Sequence, residues 1–124
     1  MKHIGRLHVL TDCVLQDRYS HLELARLALQ GGADVIQFRQ KTGSTRGLIE
    51  TAREMKAVCE SAGALLIVND RIDVALASGA HGVHLGQEDF PISLARELLG
   101  ADPIIGGSAS DLEEARACIR EGAD

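Results

Sequence analysis

Short β-prone runs alternate five times with longer helical stretches along this chain, and this alternation restricts the possible folds more than any other feature. The short runs are rich in Val, Ile and Leu, whereas the longer stretches carry apolar residues at helical spacing. Glycines follow most of the helical stretches, as is typical of helix ends. We predict strands over Leu7–Thr11, Val35–Arg39, Leu65–Val68, Gly82–Leu85 and Ile104–Gly107, and helices over Ser20–Gln30, Ser44–Ala62, Arg71–Ser78, Pro91–Leu99 and, from a capping box at Ser110–Glu113, to about Glu121.

Such an alternation predicts an α/β fold with a parallel sheet and right-handed crossovers. The third strand is apolar throughout, as expected when both faces of the sheet are covered. Two architectures remain open at this point. An open, doubly wound sheet of five strands is complete within 124 residues, whereas a (βα)₈ barrel needs about 200 or more. Length alone therefore favours the open sheet, or else a fragment of a barrel.

The composition limits which kinds of partner the chain can bind and indicates the cellular compartment in which it works. The chain has 13 Lys and Arg against 18 Asp and Glu, a formal charge of -5, which argues against nucleic acid or an anionic membrane as the main partner. The longest apolar run, Ala64–Val68, is far shorter than the roughly 20 residues of a membrane helix. The first residues contain no apolar signal-peptide core, and the three cysteines are widely spaced. We therefore expect a cytoplasmic protein with reduced thiols.

A short motif recurs along the chain. Gly32-Ala33-Asp34 returns as Gly79-Ala80-His81 and again as Gly122-Ala123-Asp124, with spacings of 47 and 43 residues. Each copy follows a helix and leads toward the next strand. Turn chemistry alone suffices to explain it.

Polar residues cluster where the predicted strands end. Because the carboxyl ends of parallel strands meet at one edge of the sheet, we expect these residues to form the site. In strand order they are Thr11 and Asp12, Gln37-Phe38-Arg39-Gln40-Lys41, Asn69 and Asp70, Gly86-Gln87-Glu88-Asp89, and Gly106-Gly107-Ser108.

The residue types in this cluster suit a diphosphate and its metal. Gln37, Arg39 and Lys41 alternate, so an extended chain points all three to one side, and two cations with an amide match phosphate oxygens. Asp70 and Asp89 end neighbouring strands and could share a Mg²⁺ ion.

Structural alternatives exist for each of these residues. Asp70 could cap the third helix with support from Asp73, and Asp89 could simply start the fourth helix. Arg39 and Lys41 could be a solvated strand end. Ser110 has the position of a cap rather than of a catalytic group. The sequence has no Walker A run, no GxGxxG after the first strand and no GxSxG elbow.

Three ordered runs resemble the thiamine-phosphate synthase family, which also contains the TenI-type thiazole tautomerases. They are Gly32–Lys41, Ile67–Ala77 and Gly82–Asp89. The family fold is a (βα)₈ TIM barrel, so the resemblance overrides the length argument. It implies that this chain covers about the first five βα units. Residues 1–124 would then be the N-terminal part of a single TIM-barrel domain, with strands six to eight absent.

The resemblance also implies an activity and a site. The family joins hydroxymethylpyrimidine diphosphate to thiazole phosphate, giving thiamine phosphate and pyrophosphate in thiamine biosynthesis, with Mg²⁺ as cofactor. It is thus a transferase acting on two small molecules. Matched positions imply Mg²⁺ ligands at Asp70 and Asp89, and catalytic roles for Arg39 and Lys41 in stabilising the departing diphosphate. They imply substrate binding by Gln37, Phe38, Arg39, Gln40, Lys41, Asn69 and Ser108.

Two other functions remain open. The tautomerase branch uses a His shortly after the matched Ser108, where this chain has Ala109 and Ser110, and this difference counts against a tautomerase. A half-barrel that binds diphosphate without catalysis is the third possibility, because the family's thiazole-phosphate loop falls beyond Asp124. A half-barrel exposes strand edges and apolar helix faces. We therefore also expect this chain to aggregate or to form a homo-oligomer.

Overall fold

The computed structural model describes residues 2–124 and shows the predicted alternation of strands and helices. Its elements are β1 His8–Thr11, α1 His21–Gln30, β2 Val35–Phe38, α2 Thr45–Ser61, β3 Leu65–Asn69, α3 Ile72–Ser78, β4 Gly82–Leu85, α4 Ile92–Leu99, β5 Ile104–Gly107 and α5 Leu112–Glu121. No helix within residues 2–124 combines the length and the apolar character needed to cross a bilayer.

The sheet has the strand order of a barrel wall. All neighbours pair in parallel, in the order β1-β2-β3-β4-β5, so each strand is added on the same side as the one before. In a doubly wound sheet the order in which strands are added reverses at a switch point, although the strands stay parallel. The open doubly wound sheet favoured by length alone is therefore wrong. The strand order follows from where the helices pack, which chain length does not report.

The two faces of the sheet carry different cores. Alternate strand residues such as Ile36, Leu66 and Ile105 are fully buried against the helices, together with Met55 of α2. Full burial of side chains of this size stabilises the fold by roughly 1.5 to 3 kcal/mol each. The opposite face holds a smaller cluster, and no helical residue belongs to it: Val35, Ile67 and Ile104, with Ile4 and Leu65 against them. The helices thus cover one face, as in the wall of a barrel.

Helix α5 begins one residue later than predicted. Asp111, not Ser110, is its N-cap, and the Asp111 carboxylate accepts a hydrogen bond from the Glu114 backbone N–H at 2.8 Å. The Glu114 carboxylate in turn accepts from the Ser110 N–H at 2.6 Å. The Asp111 carboxylate thus satisfies a donor that the first helical turn leaves free, whereas the Glu114 carboxylate binds the residue before the N-cap. The predicted capping box is therefore wrong by one position, and its Glu does not bind the N–H of the N-cap itself.

The recurring Gly-Ala motif has a structural role that turn chemistry does not cover. Its third residue pairs with the start of the preceding strand: Asp34 accepts from the Leu7 N–H at 2.8 Å, and Asp124 from the Ile105 N–H at 2.9 Å. The backbone N–H groups of Asp34 and Asp124 donate back to the carbonyls of Leu7 and Ile105. The motif therefore fastens alternate strands at the end of the sheet opposite the site.

His81 takes the Asp position in the middle copy of the motif. Its Nδ1 accepts from the Leu66 N–H at 2.9 Å, which requires a neutral ring with its proton on Nε2, 3.5 Å from Glu60. Burial lowers the pKa of His81, and the Lys56 ammonium acts in the same direction, whereas Glu60 opposes it. The folded pKa lies below the unfolded value of about 6.5. This contribution to stability is therefore present above that pH and is lost as the pH falls.

Replacing His81 by Asn tests this linkage. The Asn carbonyl can accept the same N–H, so we expect the free energy of unfolding at neutral pH to change by only about 1 kcal/mol. Urea unfolding at about pH 7.5 and pH 5.5 should show a smaller loss of stability on acidification than in the unsubstituted chain. Burial also lowers the pKa of His21 and His84, so some acid sensitivity should remain. An unchanged pH dependence would contradict the assigned role.

Candidate functional site

The carboxyl ends of β1 to β5 lie along one edge of the sheet and bring most of the sequence-predicted residues into contact. The parallel register sets Asn69 of β3 beside His84 of β4, and His84 beside Gly106 of β5. Short loops then hold the residues that follow each strand over this edge. The site consists of three adjoining groups: an amide pair, two ion pairs, and a histidine–serine pair.

The amide pair joins β2 to β3. Gln37 is buried, and its Oε1 accepts from Asn69 Nδ2 at 3.0 Å. The remaining Asn69 Oδ1 is also buried but has no hydrogen-bond partner among residues 2–124. A buried acceptor without a partner costs about 1 to 3 kcal/mol. Such a group is therefore suited to receive a donor from a bound ligand.

The two cations after β2 pair with carboxylates on opposite flanks. Arg39 forms an ion pair with Asp12, which follows β1, and Lys41 forms one with Asp70, which follows β3. The alternation argument predicted that both cations point to one side with Gln37, but the structure divides them between two neighbours. Strand β2 ends at Phe38, so strand alternation does not extend to either cation.

The other two residues of this run have local partners. Phe38 is buried in the core, and its ring packs edge to face with that of His21, with centroids 4.8 Å apart. Gln40 donates from its side chain to the Thr42 carbonyl at 2.8 Å. The Phe38 side chain therefore faces the helix layer and not the edge that holds the ion pairs.

Asp70 has a backbone conformation that few residues other than glycine adopt. Its φ is 64°, in the left-handed region, and it is the only described residue other than glycine with a positive φ. The N-cap of α3 is Arg71, and Asp73 binds Arg71 rather than capping the helix for Asp70. The capping alternative for Asp70 is therefore wrong. Apart from glycine, Asn, Asp and His adopt this conformation most often.

Asp89 closes a tight turn after β4. Its Oδ2 accepts from the Gly86 N–H at 2.7 Å, and its own N–H donates to the Gly86 carbonyl at 3.2 Å. Helix α4 begins only at Ile92, with Pro91 at its N-cap. Asp89 therefore does not start the helix, which excludes the second structural alternative as well.

A histidine that the sequence analysis did not assign to the site lies between these groups. His84 Nε2 is 2.8 Å from the Ser108 hydroxyl oxygen. Burial lowers the pKa of His84, while the charges of Asp70 and Asp89 act in the opposite direction. Gly106 leaves room for this ring, because a Cβ there would lie 2.5 Å from His84 Nδ1. The signal in the sequence was the position of His84 two residues before Gly86.

The donor set fits a magnesium ion that a ligand completes. Residues 2–124 contain no cluster of three or more His, Cys, Asp or Glu side chains able to hold a metal ion by themselves. Mg²⁺ is commonly bound through one or two carboxylates, with phosphate oxygens and water as the other ligands. Asp70 and Asp89, after neighbouring strands, match this pattern and not that of a self-contained metal site.

A cavity of about 470 Å³ lies beside the Arg39–Asp12 pair. It opens between the β1–α1 and β2–α2 loops, and His21 forms part of its wall. Thr11 Oγ1 lies 2.8 Å from His21 Nδ1, and both residues are buried. The sequence analysis placed Thr11 and Asp12 at a strand end without a role, and it did not identify His21.

Comparisons with known proteins identify the family. The model of the family described as Thiamine monophosphate synthase matches residues 7–124. The chain belongs to this family. The thiamine-phosphate synthase of Salinibacter ruber is 55% identical over 123 residues, covering 99% of this chain and 54% of the relative. That of Chloroflexus aurantiacus is 50% identical over 119 residues, covering 96% and 55%.

A solved structure confirms the fold prediction. Thiamine phosphate pyrophosphorylase from Pyrococcus furiosus superposes with a TM-score of 0.88 at 43% identity, covering 96% of this chain and 57% of its own. The chain therefore has the TIM-barrel-type fold of the family. It spans about half the length of the relatives that it matches. That residues 1–124 form the N-terminal part of one barrel domain stays a prediction.

Proposed function

We propose that the gene product carrying this chain is a thiamine-phosphate synthase. In this proposal it joins hydroxymethylpyrimidine diphosphate to thiazole phosphate, and residues 2–124 supply the part of the site that holds the diphosphate. The observation that carries the proposal is the juxtaposition of Lys41 with Asp70 in a chain of this family. This contact puts a cation for the diphosphate against a carboxylate for its metal.

The ion pairs suggest how the site accepts its substrate. Lys41 is half exposed, and its carboxylate partner is Asp70. If Asp70 held the metal, the Lys41 ammonium would be free to bind diphosphate oxygens instead. Arg39 adds a planar guanidinium on the β1 side, a group that matches phosphate geometry. The Ser108 hydroxyl and the Asn69 and Gln37 amides are further predicted substrate contacts of this half.

The reaction needs leaving-group stabilisation and no protein nucleophile. The bond between the pyrimidine methylene and the diphosphate oxygen breaks, and its electron pair leaves with pyrophosphate. The lone pair of the thiazole nitrogen then forms the new carbon–nitrogen bond. Mg²⁺ supplies positive charge to the diphosphate oxygens when bound. Arg39 and Lys41 contribute fixed positive charge where negative charge develops. We assign this chemistry to the cytoplasm, where the three free cysteines would stay reduced.

A turnover assay of the native gene product tests the proposal. Purified protein is incubated with hydroxymethylpyrimidine diphosphate and thiazole phosphate, with Mg²⁺ or with a chelator. We expect thiamine phosphate and pyrophosphate in equal amounts, and only with the metal. A folded protein that forms neither product, or that instead isomerises a thiazole substrate without metal, would overturn the synthase assignment. The second outcome would identify the tautomerase alternative.

A further inference from the structure

Asp12 is the most firmly held carboxylate beside the candidate diphosphate site. Its Oδ1 accepts from the backbone N–H groups of Val14 and Leu15, at 2.6 and 2.9 Å, while Oδ2 pairs with Arg39. The two backbone bonds, foremost that of Leu15, hold the pKa of Asp12 below its ordinary value, and Arg39 adds to this. The carboxylate is therefore ionised at neutral pH and fixed by donors on both oxygens.

The loop that carries Asp12 is braced by its own side chains. Gln16 Nε2 donates to the carbonyls of Asp12 and Tyr19, both at 2.8 Å, and Gln16 Oε1 accepts from the Tyr19 N–H at 2.9 Å. Neither carboxylate oxygen of Asp12 can bind a metal without breaking its hydrogen bonds to the loop backbone or to Arg39. Asp70 differs, because within residues 2–124 its side chain forms a hydrogen bond only with Lys41. Asp12 therefore has the properties of an anchor and not those of a metal ligand.

Arg39 uses little of its hydrogen-bonding capacity on this anchor. Only NH1 contacts Asp12, and the guanidinium makes no other side-chain hydrogen bond within residues 2–124. An arginine offers five N–H donors in a planar fork, so one edge stays available. The Arg39 side chain is 35% exposed and Asp12 13%, so the pair lies at the surface of the cavity.

We propose that Asp12 is a positioning residue that holds the Arg39 guanidinium in one orientation for the substrate diphosphate. This inference rests on the proposed function of the same site. Without the Asp12 anchor, the Arg39 side chain loses its conformational freedom only when the diphosphate binds. The entropy lost in this step opposes binding and lowers the affinity. The anchor thus preorganises a cation that the family resemblance assigns to the diphosphate.

The substitution Asp12→Asn separates the ion pair from the loop. The Asn carbonyl can still accept from Val14 and Leu15, whereas the charge facing Arg39 is gone. The matched control is Asp34→Asn, because Asp34 also accepts two backbone N–H groups, from Arg6 and Leu7, but at the far end of the sheet. Asp12→Ser is a second variant that can also keep the turn.

Two measurements read the effect. Calorimetric titration with inorganic pyrophosphate and Mg²⁺ should give a dissociation constant about three- to tenfold higher in Asp12→Asn than in the unsubstituted protein. Asp34→Asn should leave it unchanged. The NMR signal of the Arg39 Nε–H group should broaden or move toward that of a free arginine in Asp12→Asn alone. If the substitution instead disrupted the loop, the changes would not be confined to those caused by the missing charge, namely weaker binding and the altered Arg39 signal.

The outcomes separate this inference from the proposed function. If the unsubstituted protein binds pyrophosphate and the Asp12 variants bind it equally or more tightly, the positioning role is wrong and the proposed function stands. If Asp12→Asn binds pyrophosphate more weakly but leaves the Arg39 signal unchanged, Asp12 does not act through Arg39. If the unsubstituted protein does not bind pyrophosphate, the proposed diphosphate site fails, and this inference fails with it.

Discussion

Replacing Asp70 by Asn is expected to lower the rate of thiamine phosphate formation by about a hundredfold or more, in line with other losses of transition-state charge stabilisation. Asn has nearly the size of Asp and, like Asp, tolerates the left-handed conformation that Asp70 adopts at φ 64°. The variant therefore keeps the turn after β3 but loses one of the two carboxylates proposed for Mg²⁺. It also leaves Lys41 without its ion-pair partner.

The experiment compares turnover at increasing Mg²⁺ concentrations. Asp73→Asn is the control, since Asp73 is an exposed carboxylate three residues away whose side-chain partners are Arg71 and a backbone N–H. We expect Asp73→Asn to keep the rate and the magnesium requirement. An Asp70→Asn protein with the original rate and the original magnesium requirement would contradict the metal assignment. Asp70→Ala is less informative, because Ala fits the left-handed conformation poorly.

Replacing Gly82 by Ala is expected to destabilise the fold by about 1 to 3 kcal/mol or more, the range of an overpacked core position. Gly82 opens β4 and pairs with Ile104 of β5. An added Cβ would lie 2.8 Å from the Ile104 Cβ and 2.9 Å from its carbonyl carbon, with the carbonyl oxygen closer still. Because the obstacle is backbone, the two strands must separate to make room.

Urea unfolding followed by circular dichroism measures this effect. The control is Gly31→Ala at the end of α1, where φ is -79° and the nearest obstacle to a Cβ lies at 3.4 Å. That change should leave stability nearly unaltered or raise it slightly. Equal unfolding midpoints for Gly82→Ala and Gly31→Ala would show that the β4–β5 contact is looser than described.

The elements of this fold are predictable from the sequence because each rests on local chemistry. Apolar spacing and helix-ending glycines located all ten strands and helices, with shifts of a residue or so at their ends. The order of the strands within the sheet is not a local property. Strand order depends on which face each helix packs against, and both architectures share the same local pattern. Only the family resemblance predicted the barrel.

The misplaced cap of α5 and the excluded capping alternative for Asp70 have a common cause. Asp70, Ser110 and Asp111 are all residue types that favour N-caps, so composition does not decide between them. The backbone decides: Asp111 is extended at φ -145°, as an N-cap must be, whereas Asp70 is left-handed. A sequence pattern does not report these dihedral angles, which is why it does not decide between these three residues as caps.

The placement of the candidate site residues at one edge of the sheet was predictable, but their pairings were not. The predicted edge of the sheet, where the carboxyl ends of the strands meet, does hold Gln37, Asn69 and Asp70. The contacts of Arg39 with Asp12 and of His84 with Ser108 join residues 27 and 24 positions apart in the chain. Such contacts depend on strand register, which no single segment specifies.

The most direct test of the account is calorimetric titration of this chain with hydroxymethylpyrimidine diphosphate, with and without Mg²⁺. The central claim is that residues 2–124 contain the diphosphate part of the site. The account predicts binding that requires Mg²⁺ and is lost in Asp70→Asn. A chain that is folded by circular dichroism but does not bind, or that binds equally well without Mg²⁺ and in Asp70→Asn, would contradict it.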